Sequence, residues 1–267
     1  MSRPLVVIPT YNERENLATI VGRVRTAVPD ASVLVVDDAS PDGTGVLADE
    51  LAAADGAVNV LHRAGKEGLG AAYLAAFDWA LGHGYDPIVQ MDADGSHLPE
   101  QLPSMLAALA GVDPAGEPVD LVIGSRWVAG GSIENWPRRR QLLSRGGSAY
   151  ARWVLRLPTR DATAGYRAFR AAGLRRIGLE DVHTRGYGFQ VDMLWHARDA
   201  GLTITEVPVT FVERERGRSK MSLGIVVEAM LRVTGWGIAS RFRRTGRAGR
   251  GAQPASSDGS ATRRSRA

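Results

Sequence analysis

The chain of 267 residues has no cysteine. That excludes a disulfide framework, thiolate catalysis and a zinc–thiolate centre, and it agrees with a reducing cytosol. No run of about 18 apolar residues occurs, so no segment reads as a membrane span. The N-terminal end reaches the strand-like "PLVVIPT" almost at once and shows no secretory-leader pattern. The turn after that first strand lacks G-x-G-x-x-G, which argues against a dehydrogenase. A net positive charge is also lacking in the body of the protein. Residues 241–267 hold eight Arg and one Asp, a formal +7 against +4 for the whole chain, which leaves −3 for residues 1–240. The high isoelectric point belongs to the tail, so it gives no reason to expect nucleic acid as a partner.

What is present is alternation. Apolar runs at 5–9, 31–38, 57–63, 87–94 and 120–126 read as strands, and 15–28, 45–54, 68–84 and a segment opening near Pro99 read as helices. Near-continuous Val, Ile and Leu in the strands predict burial on both faces, hence a mainly parallel central sheet flanked by helices, an α/β Rossmann-like fold. Later, 138–157 and 189–201 read as helices, and 202–214 alternates as strand does. Residues 222–242 have the period of an amphipathic helix, with Glu228 and Arg232 four apart. Beyond it Gly, Ser, Ala and Arg dominate, the composition of a disordered tail. The expected organisation is a catalytic domain over 1–221, an amphipathic, interfacial helix over 222–242 and an Arg-rich disordered tail over 243–267.

The stretch "PIVQMDADGSHLPE" poses the chemical question. Two carboxylates, Asp92 and Asp94, stand one residue apart at the end of an apolar strand. Neighbouring carboxylates repel, and an unpaired buried charge is costly. Ligands of open α/β sheets bind beyond the carboxyl ends of the strands. There the pair can share one hard divalent cation, Mg²⁺ or Mn²⁺, that bridges to a diphosphate. The alternative is a turn in which Asp94 serves only as a cap. At the end of the first strand, Tyr11 can stack on a base or ribose and Glu13 can accept from a hydroxyl. The alternative is a plain helix start capped by Asn12. The second strand ends in Asp37-Asp38, which can accept from a base N–H or cap the "SPDGT" turn. Three polar strand ends side by side suit a nucleotide-diphosphate site. His97 reads as a supporting or helix-start residue rather than a ligand.

The motifs "VVIPTYNERENL", "VVDDASPDGT", "GLGAAY", "QMDADGSHLPE", "IGSRWVAGG", "RDATAGYRAFR", "GYGFQVDM" and "VPVTFVERERGRSK" follow in this order. Together they resemble the dolichyl-phosphate (polyprenyl-phosphate) mannose synthases, inverting glycosyltransferases of family 2 with the GT-A fold. The resemblance covers roughly residues 4–222. Single motifs are shared across family 2, whereas "SPDGT", "GSR", "DATAGYR" and "GRSK" in combination point to the polyprenyl-phosphate branch.

The resemblance implies that Pro9, Tyr11, Glu13, Val36 and Asp38 line the nucleotide, and that Asp92 and Asp94 bind the metal with the Ala93 backbone nearby. Ser96 stands where some relatives have a Gln ligand, so it becomes the third metal-ligand candidate, with water as the substitute. Arg126, Arg140 and Ser144 would hold the acceptor phosphate, with Arg126 also contacting the nucleotide sugar, and Arg214 and Lys220, in a Gly- and Arg-rich mobile loop, would close over the donor diphosphate. Asp92, Asp94, Arg126 and Lys220 would carry the catalysis. The implied substrates are GDP-mannose and a polyprenyl phosphate, with UDP-glucose as the alternative donor. A non-enzymatic membrane-surface binding module is the remaining alternative. Because the nucleophile is an already ionised phosphate oxygen, no general base is required. Asp161, Gln190 and Asp192 then read as support or sugar contacts. The expected location is the cytoplasmic face of a membrane, held peripherally, with an integral-membrane partner protein. Leu223, Val226, Val227, Met230 and Trp236 are expected to form the apolar face of the 222–242 helix.

Overall fold

A computed structural model of the chain describes residues 3–184, 186, 188–213 and 230–238. The elements run β1 (Leu5–Thr10), α1 (Arg14–Ala27), β2 (Ser32–Asp37), α2 (Thr44–Ala54), β3 (Val58–His62), α3 (Leu69–Gly82), β4 (Ile88–Gln90), α4 (Leu102–Ala110), β5 (Leu121–Ser125), β6 (Ser132–Glu134), α5 (Arg138–Leu155), β7 (Arg167–Phe169), α6 (Ala171–Arg176), α7 (Phe189–Asp199), β8 (Ile204–Pro208) and β9 (Thr210–Val212). Residues 230–238 are helical as well. Val233 is buried there and Trp236 stacks on Trp195, ring centroids 5.8 Å apart, so Trp236 faces the protein body, contrary to its expected place on an apolar outer face. The boundaries expected at 221 and 242, and the tail, lie outside the described residues.

The main sheet has the order β3-β2-β1-β4-β7-β5-β8, and only β7 runs against its neighbours. β1 and β2 are buried on both faces, as their unbroken aliphatic runs require. On one face, α1 inserts Leu17, Ile20, Val21 and Val24, spaced as one helical stripe, against Val6, Ile8, Val33 and Val35. Each such side chain contributes about 1.5–3 kcal/mol on burial. On the other face, α3, α5 and α7 pack over Leu5, Val7, Leu34, Ile88 and Phe169.

The α3–α7 contact explains "GLG". A Cβ on Gly70 would lie 2.5 Å from the Thr184 carbonyl oxygen and 2.8 Å from Phe189 Cδ2, so only glycine lets the helices approach this closely. Tyr73 of α3 then stacks on Phe189, ring centroids 6.0 Å apart.

The strand expected over 202–214 is two strands in two sheets. β8 pairs with β5, while β9 pairs with β6 in a separate two-stranded sheet. Between them, Val209 bonds backward and forward at once: its N–H donates to the Ser125 carbonyl and its own carbonyl accepts from Ser132 N–H. This crossing brings β9 over the ends of β4 and β5.

Candidate functional site

The parallel strands β1, β2, β4 and β5 end on one edge of the sheet, and the polar termini meet there. β4 ends at Gln90, with one more backbone bond from Met91 N–H to the Val7 carbonyl, so Asp92 and Asp94 occupy the turn beyond it. Both are half-buried, with Ala93 enclosed between them. The Tyr73 hydroxyl donates to Asp92 Oδ1 (3.2 Å), and the Asp92 N–H donates to His97 Nδ1 (3.0 Å). Burial pushes the His97 pKa down, so the ring is neutral and accepts at Nδ1. His97 stacks on Tyr166 and meets the Phe211 ring edge-on. Its contacts are thus with the Asp92 backbone and two aromatic rings.

On the other carboxylate, Ser96 donates to Asp94 Oδ1 through both its N–H (3.1 Å) and its hydroxyl (2.6 Å). Ser96, itself buried, thus orients Asp94. Two carboxylates and a hydroxyl make an all-oxygen donor set, which fits a hard divalent ion such as Mg²⁺ or Mn²⁺. Asp94 also borders a cleft of about 300 Å³ formed with Glu15, Asn16 and Arg23 of α1 and Glu213 after β9.

The end of β2 divides its two acids. Asp37 is buried and caps the turn, accepting from Ser40 N–H (3.1 Å) and Ser40 hydroxyl (2.6 Å), with Thr10 also donating to it. Asp38 instead pairs with Arg63, and burial raises its pKa against the pull of that cation. Asp42, one residue before the Gly43 N-cap of α2, accepts from the Thr44 N–H (3.0 Å) and hydroxyl (2.6 Å). The helix-start alternative for Asn12 does not hold: Asn12 is left-handed at φ 60°, and Glu13 takes the N-cap position without a side-chain cap bond. The Lys66 ammonium lies 3.7 Å from the centre of the Tyr11 ring. Val36 is fully enclosed and its carbonyl accepts from Thr10, so it offers a ligand no side-chain surface; Pro9 is half-buried.

At the end of β5, Arg126 is almost wholly buried. Its Nε and Nη2 each donate to an Asp161 oxygen at 2.7 Å, its backbone N–H donates to the same carboxylate (3.1 Å), and Nη2 also reaches Thr163 Oγ1 (2.9 Å). Thr163 in turn meets Ser148 of α5 (3.2 Å). Nη1 of Arg126 has no partner among the described residues. Arg140 of α5 stacks 3.9 Å from the Trp136 ring centre and pairs with Glu213, and Arg126 lies 5.5 Å from the same indole. Ser144, one turn on from Arg140, is buried on the same inward side of α5. The three residues expected at the acceptor phosphate thus belong to one neighbourhood. Arg214 and Lys220 lie outside the described residues.

Beneath the acids runs a polar layer with little sign in the sequence. Arg167 is fully buried; its Nε and Nη2 donate to the carbonyls of Ala164 (2.9 Å) and Ala162 (3.2 Å). Burial lowers its pKa to about 9, which leaves it a cation at neutral pH. Its strand partner is Gln90. Gln190 opens toward the acid pair: a Cβ on Gly165 would sit 3.5 Å from its amide nitrogen and 3.9 Å from Asp92 Oδ2, and neither polar atom of the Gln190 amide has a partner among the described residues. Asp192 accepts from Thr184 N–H and approaches His196. Arg63, Lys66, Tyr73 and Trp136 were missed in the sequence. The basic, glycine-containing loop "HRAGKEG" was the one available signal for the first two.

Residues 5–178 match the model of the family described as "Glycosyl transferase family 2". The chain is 57% identical over 240 residues to an undecaprenyl-phosphate mannosyltransferase of Micrococcus luteus, covering 90% of this chain and 96% of that protein. It is 55% identical over 243 residues to a polyprenol monophosphomannose synthase of Mycolicibacterium smegmatis, covering 91% and 89%. In fold it is similar to a glucosyl-3-phosphoglycerate synthase from Mycobacterium tuberculosis, solved with Mn²⁺, UDP and glucosyl-3-phosphoglycerate (TM-score 0.61, 22% identity, 90% and 80% covered). A mannosyltransferase from Pyrobaculum calidifontis, solved with GDP-Man and Mn²⁺, shares the fold at TM-score 0.52 and 19% identity, with 94% and 76% covered.

Proposed function

The chain belongs to glycosyl transferase family 2, and from that membership we propose that it transfers mannose from GDP-mannose to the phosphate of a polyprenyl phosphate, with inversion. The observation that carries this reading is the identity of more than half, over nearly the full length of both chains, to two proteins named for mannose transfer to a polyprenyl phosphate. The geometry supports it. Acids end β4 and arginines follow β5 on the same edge, as two anionic substrates of different kind require.

Asp92 and Asp94, with Ser96 in support, would hold the Mg²⁺ or Mn²⁺. When bound, the ion supplies positive charge to the donor diphosphate. Tyr73 and His97 fix Asp92 for that task. Tyr11, Glu13, Asp38 and the backbone near Ala93 would contact the nucleotide. Arg126 and Arg140, with Ser144, would bind the acceptor phosphate. A guanidinium already held on one edge by Asp161 presents its remaining donors without further ordering. The acceptor oxygen is ionised at neutral pH, so Asp161 need not act as a base; its oxygens are occupied by Arg126. Arg214 and Lys220 would act on the leaving diphosphate. The acceptor's hydrocarbon keeps it in a bilayer, so the enzyme works at a membrane surface, which we place on the cytoplasmic side beside an integral-membrane partner. Among the described residues no helix is long and apolar enough to cross a membrane.

The test incubates purified protein, Mg²⁺ and a polyprenyl phosphate with labelled GDP-mannose or labelled UDP-glucose in parallel. Label in the organic phase from GDP-mannose alone is expected. Label from UDP-glucose alone would replace the donor, and label from neither would remove the enzymatic reading.

A further inference from the structure

The loop from Arg160 to Gly165, between α5 and β7, is irregular backbone, and Asp161, Ala162 and Ala164 within it are buried. Buried irregular backbone needs partners for its N–H and carbonyl groups. Two charged side chains supply them here. Glu206 takes the donors: its Oε2 accepts from the Arg160 N–H (2.7 Å) and its Oε1 from the Asp161 N–H (2.9 Å). Arg167 takes the acceptors, donating to the carbonyls of Ala162 and Ala164.

Glu206 stands on β8, the edge strand of the main sheet, where it pairs with Ile123 of β5. Arg126 directly follows β5. A closed circuit results. Arg126 is bonded to the Asp161 carboxylate through its backbone N–H and two guanidinium nitrogens. Asp161 is bonded to Glu206 through its own N–H, and β8 returns to β5 through the ladder. Thr163, on the same loop, accepts from Arg126 Nη2 (2.9 Å) and donates to Asp161 Oδ1 (3.3 Å). Asp161 and Thr163 thus both end on Arg126, while the backbone that carries them is set by Glu206 and Arg167 rather than by a ladder or a helix.

Resting on the reading of Arg126 as a ligand of the acceptor phosphate, we infer that Glu206 is a positioning residue for that phosphate. By holding two successive N–H groups it fixes the Asp161 carboxylate and, through it, the plane of the Arg126 guanidinium. A guanidinium fork meets phosphate oxygens in pairs only when its plane is set. A carboxylate suits the task, because it offers two oxygens to two neighbouring N–H groups and its charge strengthens both bonds. The plainer reading, that Glu206 only satisfies a buried loop, predicts lost stability with no preference between the two substrates.

The experiment uses the full chain. Glu206→Gln keeps the size and one acceptor but turns an amide NH₂ toward one of the two N–H groups, and Glu206→Ala keeps neither bond. The acceptor KM should rise about tenfold in Glu206→Gln and further in Glu206→Ala. GDP-mannose affinity, read by calorimetry with Mn²⁺, should stay at the wild-type value in both. A second readout needs no turnover. In nuclear magnetic resonance spectra of the protein labelled with ¹⁵N-arginine, the Arg126 Nε–H is identified by its absence from Arg126→Lys. Its exchange with solvent should be slow in the wild type and about tenfold or more faster in Glu206→Gln. A wild-type acceptor KM in Glu206→Ala overturns the proposal, as does a loss of GDP-mannose affinity as large as the rise in acceptor KM. Unchanged exchange of the Nε–H overturns it too. If that exchange quickens as expected but the wild type transfers no sugar to a polyprenyl phosphate, the positioning of Arg126 stands and the reading of the acceptor falls.

Discussion

Asp161 grips Arg126 with both carboxylate oxygens, each 2.7 Å from a guanidinium nitrogen, and the pair is closed off from solvent. Breaking such a pair from one side leaves a buried charge without its counterion, at about 3–5 kcal/mol. Arg126→Ala is therefore expected to lower stability by that order as well as acceptor use. Arg126→Ala/Asp161→Ala should recover part of the stability and none of the acceptor use. Urea unfolding beside initial rates at varied acceptor separates the two effects. A double variant as unstable as the single one would mean that the pair does not act as a unit.

Asp94→Ala should lower turnover by about a hundredfold or more, because it removes a carboxylate from the proposed ion. Ser96→Ala removes the 2.6 Å hydroxyl bond to Asp94 but keeps the carboxylate, so Mn²⁺ affinity should fall only about tenfold. Titrating Mn²⁺ into each variant by calorimetry, in the presence of GDP, checks the order of the two effects. Equal losses would make Ser96 as important as the carboxylate itself.

Tyr73→Phe deletes the hydroxyl that donates to Asp92 and leaves the ring stack with Phe189 in place. We expect stability to change by about 1 kcal/mol and turnover to fall severalfold, through a less ordered Asp92. Unchanged turnover would show that Asp92 needs no orientation from α3.

Gly70→Ala tests the helix contact behind Tyr73. The new methyl would sit 2.5 Å from the Thr184 carbonyl oxygen, too close for the backbone to ignore. Overpacking of this kind costs about 1–3 kcal/mol. A thermal melt equal to wild type would show that α3 and α7 separate freely.

The sheet was legible because its strands are unbroken aliphatic runs, and the acid pair was legible because it interrupts one of them. β7 was not. It is three residues long and has Arg167 on a fully buried face, where a charged side chain reads as surface. Its cation is hidden by the Ala162 and Ala164 carbonyls, which no sequence pattern reveals. The break at Val209 was equally silent, since Pro208 and Val209 continue the alternation while the strand changes sheets. At the site, Arg126 and Asp94 stood in motifs. Arg63 and Tyr73 act through neighbours distant in sequence, Asp38 and Asp92, whereas Trp136 stands close in sequence to the arginines it touches and gives no sign there of which way its ring turns. Trp236 shows the limit of periodicity, which places a residue on a helix stripe without saying what covers that stripe.

The central claim is a division of labour, with Asp92 and Asp94 holding the donor and Arg126 and Arg140 holding the acceptor. Calorimetry of GDP-mannose binding with Mn²⁺, run on Asp94→Ala and Arg140→Ala beside the acceptor KM of each, tests it most directly. The account predicts that Asp94→Ala loses GDP-mannose affinity. Arg140→Ala should keep that affinity and raise the acceptor KM by about tenfold or more, as the loss of a charge-assisted contact implies. Arg140→Ala losing GDP-mannose affinity while its acceptor KM stays at the wild-type value would contradict it.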